Sequence, residues 1–378
     1  MEFSFEVVKN DKKTRARRGV IKTAHGQIAT PAFSPVATKA TLKALDPKDI
    51  KKTGSQVVLG NTYHLYLQPG LRVISKFGGF APFMGWAGPT ITDSGGYQVS
   101  FLKDYSHKDE NDRSGGIIRI TDEGAVFRSH IDGGKYLLTP ELSMEIQKIL
   151  GADIIMALDD PESYDRTLKW EERSFTHWKK IKSKQSLFGI VQGGIDPKLR
   201  KKSLDFVLSM DFPGIAVGGK TIGADPKITA KALDTIVDLL PEDKPLHALG
   251  LGGGPEGIFE AVERGVDIFD NSSVTRMART GLLFVYPQDG GKRENKFRVD
   301  IAKKKYKSEF DPVSKVCKCY TCQNFSMAYI NHLFKSHEIL AQRLATIHNV
   351  TFVNDLMNRT RESIEAGDFL ALKSHWLS

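Results

Sequence analysis

The stretch "LFGIVQGGIDPKLRKKSLDFVLSMDFPGIAVGG", residues 187–219, contains two short apolar runs on either side of a helix-forming segment. Both runs are continuously apolar rather than alternating, which is typical of parallel strands that are buried on both faces. Asp196 and Pro197 between them favour the start of a helix, because Asp caps free N–H groups and Pro fits the first turn. The stretch therefore predicts a β-α-β unit.

Six further apolar runs of this kind recur along the chain, and each ends in polar residues or glycines. They are residues 31–37, 56–61, 89–96, 152–160, 247–254 and 266–271. Helical segments separate several of them, with Thr139-Pro140 and Asp225-Pro226 as further start signals. Eight candidate strands with intervening helices predict an α/β fold, specifically a (β/α)8 TIM barrel. An open doubly wound sheet is the alternative.

Two regions depart from this pattern. Residues 113–138 contain turn signals at 122–124 and 132–134, which predict antiparallel hairpins inserted between barrel strands. After about residue 288 the strand pattern is lost, and a cysteine-rich segment followed by helices replaces it. We therefore expect a catalytic barrel domain over 1–288 and a zinc-binding subdomain with C-terminal helices over 289–378.

The composition is that of a globular protein with an excess of positive charge. The chain has 378 residues and a formal net charge of +9. Its apolar runs are too short for a membrane span, and its N-terminus lacks the apolar segment of a secretory signal, so we expect a soluble cytoplasmic protein. The positive charge is spread over several segments, which favours a polyanionic partner such as nucleic acid.

The three cysteines all lie in "KVCKCYTCQN", residues 315–324. An odd number of clustered cysteines is a poor basis for disulfides, whereas the Cys-x-Cys-x2-Cys spacing is typical of a metal site. Cys317, Cys319 and Cys322 would give tetrahedral zinc three thiolates, and the fourth ligand would be a histidine. The spacing does not decide among the downstream candidates, which are His332, His337 and His348.

Polar residues and glycines follow the predicted strands, at the end of a barrel where catalytic residues gather. These strand ends carry Asn61, Asp93, Asp159, Gln192, Gly218, Gly219, Gly250 and Asp270. Two facing carboxylates can carry out a double displacement at a sugar anomeric carbon, and Asp93 and Asp270 are suitable in kind. Asp159 and Asp160 are adjacent, so only one of them can face such a site. The segment "GGGPEG", 252–257, formally matches a dinucleotide-binding motif, but its place in the chain disfavours that reading.

Several longer motifs resemble the tRNA-guanine transglycosylases, and the bacterial type most closely. The similarity extends from about residue 5 to about residue 368. The motifs are "GNTYHLYLQPGL", "FMGWAGPTITDSGGYQVSF", "FRSHIDGGKYLLTPELSMEIQ", "GIVQGG", "AVGG", "TRMARTG" and "CKCYTC…TIHN". The resemblance implies an enzyme, a pentosyltransferase that replaces guanine 34 of a tRNA anticodon with a 7-deazaguanine in queuosine biosynthesis.

The resemblance also implies roles for individual residues. Asp270 would attack C1′ of guanosine 34 and form a covalent Asp-ribose intermediate, and Asp93 would be the general acid and base. Asp159 would bind the Watson–Crick edge of the base, while Tyr97 would stack on one face and Leu249 would cover the other. The complete set implied to bind the base is Asp93, Ser94, Gly95, Gly96, Tyr97, Asp159, Gln192, Gly218, Gly219 and Leu249.

The implied partners are a tRNA with a GUN anticodon, a structural Zn²⁺ ion and a second copy of the chain. The residues implied to hold RNA are Gly250, Leu251, Gly252, Gly253, Gly254, Pro255, Glu256, Thr275, Arg276, Met277, Ala278 and Arg279. The interval between Cys322 and "TIHN" fits the family and selects His348 as the fourth zinc ligand. A homodimer with the zinc region near its interface is expected.

The chain departs from the family pattern at Pro161, Lys220 and 271–274, all expected at the pocket rim. Ile222, where a glycine would suggest the larger queuine, favours 7-aminomethyl-7-deazaguanine (preQ1) as the incoming base. A queuine-inserting enzyme is the alternative. A non-catalytic RNA-binding homologue, such as an accessory subunit, is a further alternative, but it would be expected to lose the acid pair that this chain keeps.

Overall fold

The computed structural model describes residues 2–101, 116–223 and 225–378. Within these ranges the chain forms strands and helices in the order that the sequence predicts, with an additional sheet at its N-terminus. The strands are β1 (Ser4–Asn10), β2 (Arg17–Thr23), β3 (Gly26–Thr30), β4 (Ala32–Ser34), β5 (Val36–Ala37), β6 (Val58–Gly60), β7 (Thr90–Thr92), β8 (Gly116–Ile120), β9 (Ala125–Arg128), β10 (Lys135–Leu138), β11 (Ile154–Met156), β12 (Ser186–Val191), β13 (Gly214–Val217), β14 (Leu246–Ala248), β15 (Ile268–Asp270), β16 (Leu282–Phe284) and β17 (Arg298–Asp300).

The helices follow the start signals in the sequence. They are α1 (Pro47–Lys52), α2 (Thr62–Leu65), α3 (Leu71–Phe77), α4 (Phe80–Met84), α5 (Gly96–Phe101), α6 (Pro140–Leu150), α7 (Tyr164–Lys180), α8 (Pro197–Ser209), α9 (Pro226–Asp234), α10 (Pro255–Glu263), α11 (Ser273–Arg279), α12 (Tyr320–Asn324), α13 (Met327–Lys335), α14 (Ile339–Ala366) and α15 (Phe369–Leu377). Thr139, Asp196 and Asp225 each cap a helix whose first residue is proline, as predicted.

The barrel is a closed ring of parallel strands. The order in the sheet is β4-β15-β14-β13-β12-β11-β7-β6-β5. Strands β4 and β5 are two halves of one strand interrupted at Pro35, and they pair with opposite neighbours, β15 and β6. The ring therefore contains eight strand positions, and all of its pairings are parallel. The (β/α)8 prediction is confirmed, and the open doubly wound sheet is wrong.

The N-terminal sheet β1-β2-β3 is antiparallel and was not predicted. Its residues Ile21 and Ile28 join the apolar side chains inside the barrel, so the sheet covers the end at which the barrel strands begin. This interior cluster consists of Ile21, Ile28, Ala32, Val57, Leu59, Ile91, Ile154, Met156, Phe188, Ile190, Ala216 and Ile268. Arg17 also forms a buried ion pair with Asp267, just before β15, at 2.6 Å. The closed end leaves the opposite end of the barrel for a site.

The predicted insertion is an antiparallel sheet in the order β10-β9-β8. This confirms the hairpins over residues 116–138, while residues 113–115 lie outside the described part of the chain. The indole N–H of Trp170 on α7 donates a 2.9 Å hydrogen bond to the carbonyl of Asp122 in the first turn. The insertion is therefore fastened to a helix of the barrel.

The C-terminal region contains helices, as predicted, but also a short antiparallel pair, β16 with β17. The region after residue 288 therefore contains a strand, β17, which the sequence does not predict because three residues are too few to show a strand pattern. Helix α14 packs against the barrel: Arg343 forms an ion pair with Asp49 at 2.7 Å, and the amide of Asn354 donates to the carbonyl of Thr53 at 3.0 Å. The boundary between residues 288 and 289 stays a prediction.

None of the helices in the described ranges combines the length and the apolar character that crossing a bilayer would require.

Candidate active site and metal centre

The polar strand ends lie together at the open end of the barrel, and three hydrogen-bonded contacts join neighbouring strands. The amide of Asn61, after β6, donates to the carboxylate of Asp93, after β7. The amide of Gln192, after β12, donates to Asp159 at 2.7 Å. The backbone N–H of Gly250, after β14, donates to Asp270 at 3.1 Å. The predicted residues at these strand ends therefore form one ring of polar groups.

Asp93 is held by donors and has a raised pKa. One carboxylate oxygen, Oδ1, accepts a 2.8 Å hydrogen bond from the backbone N–H of Thr62, and Oδ2 accepts from Asn61. Burial, with a smaller contribution from the nearby negative charge of Asp270, raises the pKa of Asp93 to about 7. A carboxyl group with a pKa near 7 can both donate and accept a proton at neutral pH.

Asp270 presents one oxygen to the site. Its Oδ1 accepts hydrogen bonds from Nε2 of His247 at 2.9 Å and from the Gly250 N–H. Its Oδ2 accepts none from any described residue, and 13% of the side chain is exposed. A carboxylate with one anchored and one open oxygen is arranged as a nucleophile. The electrostatic effect of Asp270 on Asp93 places the two groups close to each other.

Asp159 and Asp160 point in different directions, as strand alternation predicts. Asp159 Oδ2 accepts from Gln192, and its Oδ1 lies 3.4 Å from the Ser94 hydroxyl that donates to it. Burial, with a smaller contribution from the negative charge of Asp160, raises the pKa of Asp159 to about 6. Asp160 instead forms an ion pair with Arg166 of α7. Only Asp159 faces the ring of polar groups.

Two glycines are required by close contacts in this ring. A Cβ atom on Gly96 would lie 1.9 Å from Oδ1 of Asp159, and one on Gly219 would lie 2.6 Å from Oε1 of Gln192. Gly219 also has φ of +97°, which side chains other than glycine rarely adopt. The remaining predicted glycines, Gly95 and Gly218, lie beside them. A side chain at either of the two required positions would collide with the polar groups of the ring.

Tyr97 and Leu249 border the ring. Tyr97 is in the first turn of α5 and is 60% exposed. Leu249 follows β14 and packs against the interior cluster. The two side chains therefore differ in exposure, and that of Leu249 contacts the barrel core.

The residues predicted to hold RNA divide into exposed and buried ones. Leu251, Thr275 and Ala278 are buried, so their side chains support the loop and α11 rather than present a surface. Arg276 is exposed, and Arg279 lies close enough that the positive charge of Arg276 lowers its pKa, after burial as the main cause. Arg276 and the half-buried Arg279 therefore give the accessible part of this set its positive charge. The other members are Gly250, Gly252, Gly253, Gly254, Pro255, Glu256 and Met277.

Sequence reasoning missed Arg200, which connects two loops of the site. This fully buried side chain on α8 donates to the carbonyls of Gly194, Val191 and Gly218 at 2.7, 2.9 and 3.1 Å, and to the Thr221 hydroxyl at 3.0 Å. It has no carboxylate partner in the described part of the chain, and burial lowers its pKa to about 10. Its helical spacing with the buried Ser203, Leu204 and Val207 was the available signal.

Sequence reasoning also missed His247 and Glu171. Both are fully buried. Oε1 of Glu171 accepts from the backbone N–H of Ile190 in β12, and burial raises the pKa of Glu171 well above its usual range. Glu171 is close enough to Asp159 for the two negative charges to disfavour each other. The only sequence signal for each was a single titratable residue on an apolar face.

The predicted cysteine and histidine ligands form one buried cluster. The ligand atoms of Cys317, Cys319, Cys322 and His348 all lie within 4.8 Å of one another, and the three cysteines are free thiols. Nε2 of His348 lies 2.7 Å from the carbonyl of Phe284, which directs Nδ1 toward the sulfurs. Three thiolates and one imidazole are a donor set that fits tetrahedral zinc. Of the three histidine candidates, His348 is the one in the cluster.

A parallel barrel with neighbouring acids at its open end and a separate Cys3His cluster able to hold a metal ion is consistent with a glycosyl-transferring barrel enzyme. The chain matches the family model described as "Queuine tRNA-ribosyltransferase" over residues 11–378. The chain therefore belongs to the queuine tRNA-ribosyltransferase family.

Similar relatives carry the same name, "Queuine tRNA-ribosyltransferase". The relative from Caldanaerobacter subterraneus subsp. tengcongensis is 42% identical over 384 residues, which cover 99% of this chain and 96% of the relative. The relative from Desulforamulus reducens is 42% identical over 388 residues, covering 100% of this chain and 98% of the relative. The relative from Dehalococcoides mccartyi is 42% identical over 390 residues, covering 100% and 93%. The similarity includes both the barrel and the C-terminal region.

Proposed function

We propose that this protein exchanges guanine 34 of a tRNA anticodon for a 7-deazaguanine, with preQ1 favoured over queuine, through a covalent Asp-ribose intermediate. The observation that carries the proposal is the arrangement of Asp270 and Asp93. One is anchored through Oδ1 with an open Oδ2, and the other is held beside it with a pKa of about 7. Family membership and the printed name of the relatives support the substrate class.

In the first step, Oδ2 of Asp270 attacks C1′ of the ribose. A bond forms between Oδ2 and C1′ while the bond between C1′ and the guanine nitrogen breaks, and its electron pair stays on the leaving base. Asp93 supplies the proton that neutralises this base, since its raised pKa keeps it partly protonated at neutral pH. The product is an ester that joins the protein to the RNA.

In the second step, the incoming base attacks the same carbon from the opposite side. Asp93, now ionised, accepts the proton that this base loses. The bond between C1′ and Oδ2 breaks, and the electron pair returns to the carboxylate of Asp270. Two displacements retain the configuration at C1′. One glycosidic bond replaces another, so the exchange needs no activated co-substrate.

The base would be held by the polar ring. Asp159 and Gln192 offer acceptors and donors for its Watson–Crick edge and carbonyl, together with the N–H of Gly219. Stacking on Tyr97 would compensate for the stacking energy that the base loses when it leaves the anticodon, and Leu249 would cover the other face of the base. Ser94 contributes by holding Asp159.

Charge at the rim supports an incoming base that carries an amine, whereas side-chain size gives little support for preQ1. Ile222 is only 7% exposed and packs in the core between the barrel and its helices. Contrary to the expectation from the sequence, its side chain therefore does not narrow the pocket rim. Glu162 and Lys220 form an ion pair at this rim. We propose that the ammonium group of an amine-bearing 7-deazaguanine such as preQ1 competes with Lys220 for the carboxylate of Glu162, an interaction that the departing guanine lacks.

The tRNA would approach a positively charged surface. The formal charge of the chain is +9, and Arg276 and Arg279 of α11 lie near the loop that follows β14. Contacts to phosphate position an RNA strand, while the pocket reads the base that is turned out. The proposed substrate is a tRNA with a GUN anticodon, whose first nucleotide is the guanosine at position 34.

The proposed assembly is a cytoplasmic homodimer with one structural zinc per chain. The Cys3His cluster supplies the zinc ligands, and its unpaired thiols suit a reducing compartment. Large apolar side chains are exposed on the C-terminal region, including Phe310 at 84% and Ile339 at 80%. Exposed apolar groups of this size favour burial against a second copy.

The test is incorporation of labelled guanine into a tRNA with a GUN anticodon, with a copy carrying adenosine at position 34 as the substrate control. We expect the wild type to label only the first tRNA and to form an RNA–protein adduct that survives denaturing electrophoresis. Asp270→Ala and the isosteric Asp270→Asn should do neither while keeping the wild-type melting temperature. RNA binding by the wild type without any exchange would favour the accessory-subunit alternative. Offering preQ1 and queuine together then decides the incoming base.

A further inference from the structure

His247 points into the barrel, directly below Asp270. In β14 the neighbours Leu246 and Ala248 belong to the core between the barrel and its helices, so the alternation of the strand turns His247 inward. Its register partners on both sides, Ala216 and Ile268, are members of the interior cluster. Asp270 follows Ile268 by two residues in the adjacent strand and therefore faces inward one level higher.

The imidazole contacts the oxygen of Asp270 that faces away from the site. Nε2 of His247 lies 2.9 Å from Oδ1, the same oxygen that accepts from the N–H of Gly250. An ionised carboxylate can only accept, so the proton of this contact is assigned to Nε2 of the imidazole. Two donors on Oδ1 leave Oδ2 as the oxygen that is available for attack.

Burying this histidine is energetically unfavourable, which indicates that its contact with Asp270 has a functional role. The side chain has no exposed surface, and its Nδ1 has no hydrogen-bond partner in the part of the chain that the structure describes. An aliphatic residue at this position would fill the barrel without burying an unsatisfied nitrogen. The neighbours of His247 in the adjacent strands are alanine and isoleucine. Among the described residues, the one hydrogen-bond partner of its side chain is Asp270, the proposed nucleophile.

We propose that His247 is the positioning residue of the nucleophile, which it holds by donating from Nε2 to Oδ1 of Asp270 throughout the exchange. This inference rests on the proposed function. During attack the bond fixes the rotation of the carboxylate, so that Oδ2 faces C1′. In the intermediate, Oδ1 becomes the ester carbonyl and keeps the bond. When the incoming base attacks, the bond between C1′ and Oδ2 breaks, and the negative charge that returns to the carboxylate is stabilised by the same donor.

Two amide variants test the geometry, because they differ by one methylene. In His247→Gln the amide nitrogen can reach the place of Nε2, whereas in His247→Asn it stops near the place of Nδ1. We expect His247→Asn and His247→Ala to lower kcat for guanine exchange roughly ten- to a hundredfold, as loss of a hydrogen bond to a charged group predicts. His247→Gln should restore most of kcat. The KM for tRNA and for guanine should change less than about threefold, because the bond acts on the reacting carboxylate and not on binding.

The rate of adduct formation in a single turnover provides the second measurement, and melting temperature shows whether each variant folds. A folded His247→Asn variant with wild-type kcat and adduct rate would overturn the inference, and so would a folded His247→Gln variant as slow as His247→Asn. If the wild type is inactive, the proposed function fails and this inference fails with it. If the wild type exchanges guanine and the folded His247 variants are as active as the wild type, the proposed function stands and only this inference is wrong.

Should the variants not fold, the wild type itself carries a test. A histidine ring proton bonded to a carboxylate gives a downfield nuclear magnetic resonance signal, which ¹⁵N-histidine labelling detects. We expect such a signal in the wild type and its loss in Asp270→Ala. The same spectrum in both proteins would show that the imidazole does not donate to Asp270.

Discussion

Replacing Arg200 by methionine should loosen two loops of the active site at once. The guanidinium of Arg200 joins the loop after β12, through the carbonyls of Val191 and Gly194, to the loop after β13, through Gly218 and Thr221. These loops carry Gln192 and Gly219, which we propose to bind the base. Methionine has a similar length and fills the same volume, but it donates no hydrogen bonds.

The magnitude follows from which acceptors lose their partners. The carbonyl of Val191 keeps a 3.2 Å hydrogen bond from the N–H of Gly218. The carbonyls of Gly194 and Gly218 and the hydroxyl of Thr221 lose the only donors that they have among the described residues. At about 1 kcal/mol for each of these three acceptors, Arg200→Met should lower the free energy of unfolding by up to about 3 kcal/mol. Relief from burying an unpaired positive charge offsets part of this cost.

The assay combines urea denaturation with steady-state kinetics of guanine exchange. We expect the KM for guanine to rise roughly tenfold, because displaced loops bind the base less well, while the KM for tRNA changes little. Lys201→Met on the exposed side of the same helix is the matched control and should leave both quantities unchanged. Unaltered stability and unaltered KM for guanine in Arg200→Met would refute the bridging role.

Two further predictions follow from the site and the metal cluster. Burial keeps Asp93 protonated in the folded protein up to a pKa of about 7, against 3.8 as the ordinary value, so the folded state binds more protons than the unfolded state between these pH values. The free energy of unfolding of the wild type should therefore fall relative to that of Asp93→Asn as pH rises from about 4 to 7; parallel curves in urea titrations at several pH values would contradict this. Cys319→Ala should lose about one zinc per chain and melt at a lower temperature, whereas His332→Ala, outside the cluster, should keep its zinc. Elemental analysis of both variants measures the zinc content. Full zinc content in Cys319→Ala would show that the cluster is not a zinc site.

The barrel could be predicted because its strands carry a strong local signal. Each parallel strand is buried on both faces, so it reads as a continuous apolar run that stops where the polar site begins. The N-terminal sheet gives a weaker signal: β1 alternates exposed and half-buried residues along its seven positions. The three residues of β17 are too few for any pattern. Short and half-buried strands are defined by their partners, which the sequence alone does not reveal.

Only part of the site could be predicted from the sequence, for a related reason. Asp93, Asp159, Gln192 and Asp270 stand out because each follows an apolar run. Arg200 lies in "KLRKK", where a positive residue is expected to face water, and only the fold shows that it faces inward. His247 stands inside an apolar run, where a histidine is usually a core residue. Residues that support a site through another residue carry no pattern of their own, because their partners are distant in sequence.

The distribution of charge suggests how the site admits a base and excludes the backbone that carries it. The surface is positive overall, yet Asp93, Asp159 and Asp270 gather at the open end of the barrel. Phosphate groups are attracted to the surface but repelled by the acids, whereas an uncharged base meets no such barrier. Burial raises the pKa of Asp93 and the charge of Asp270 adds to this effect, which gives Asp93 the property that its proposed role requires. The acids of the site would thus favour an uncharged base over phosphate, and Asp93 would supply the proton that releases that base.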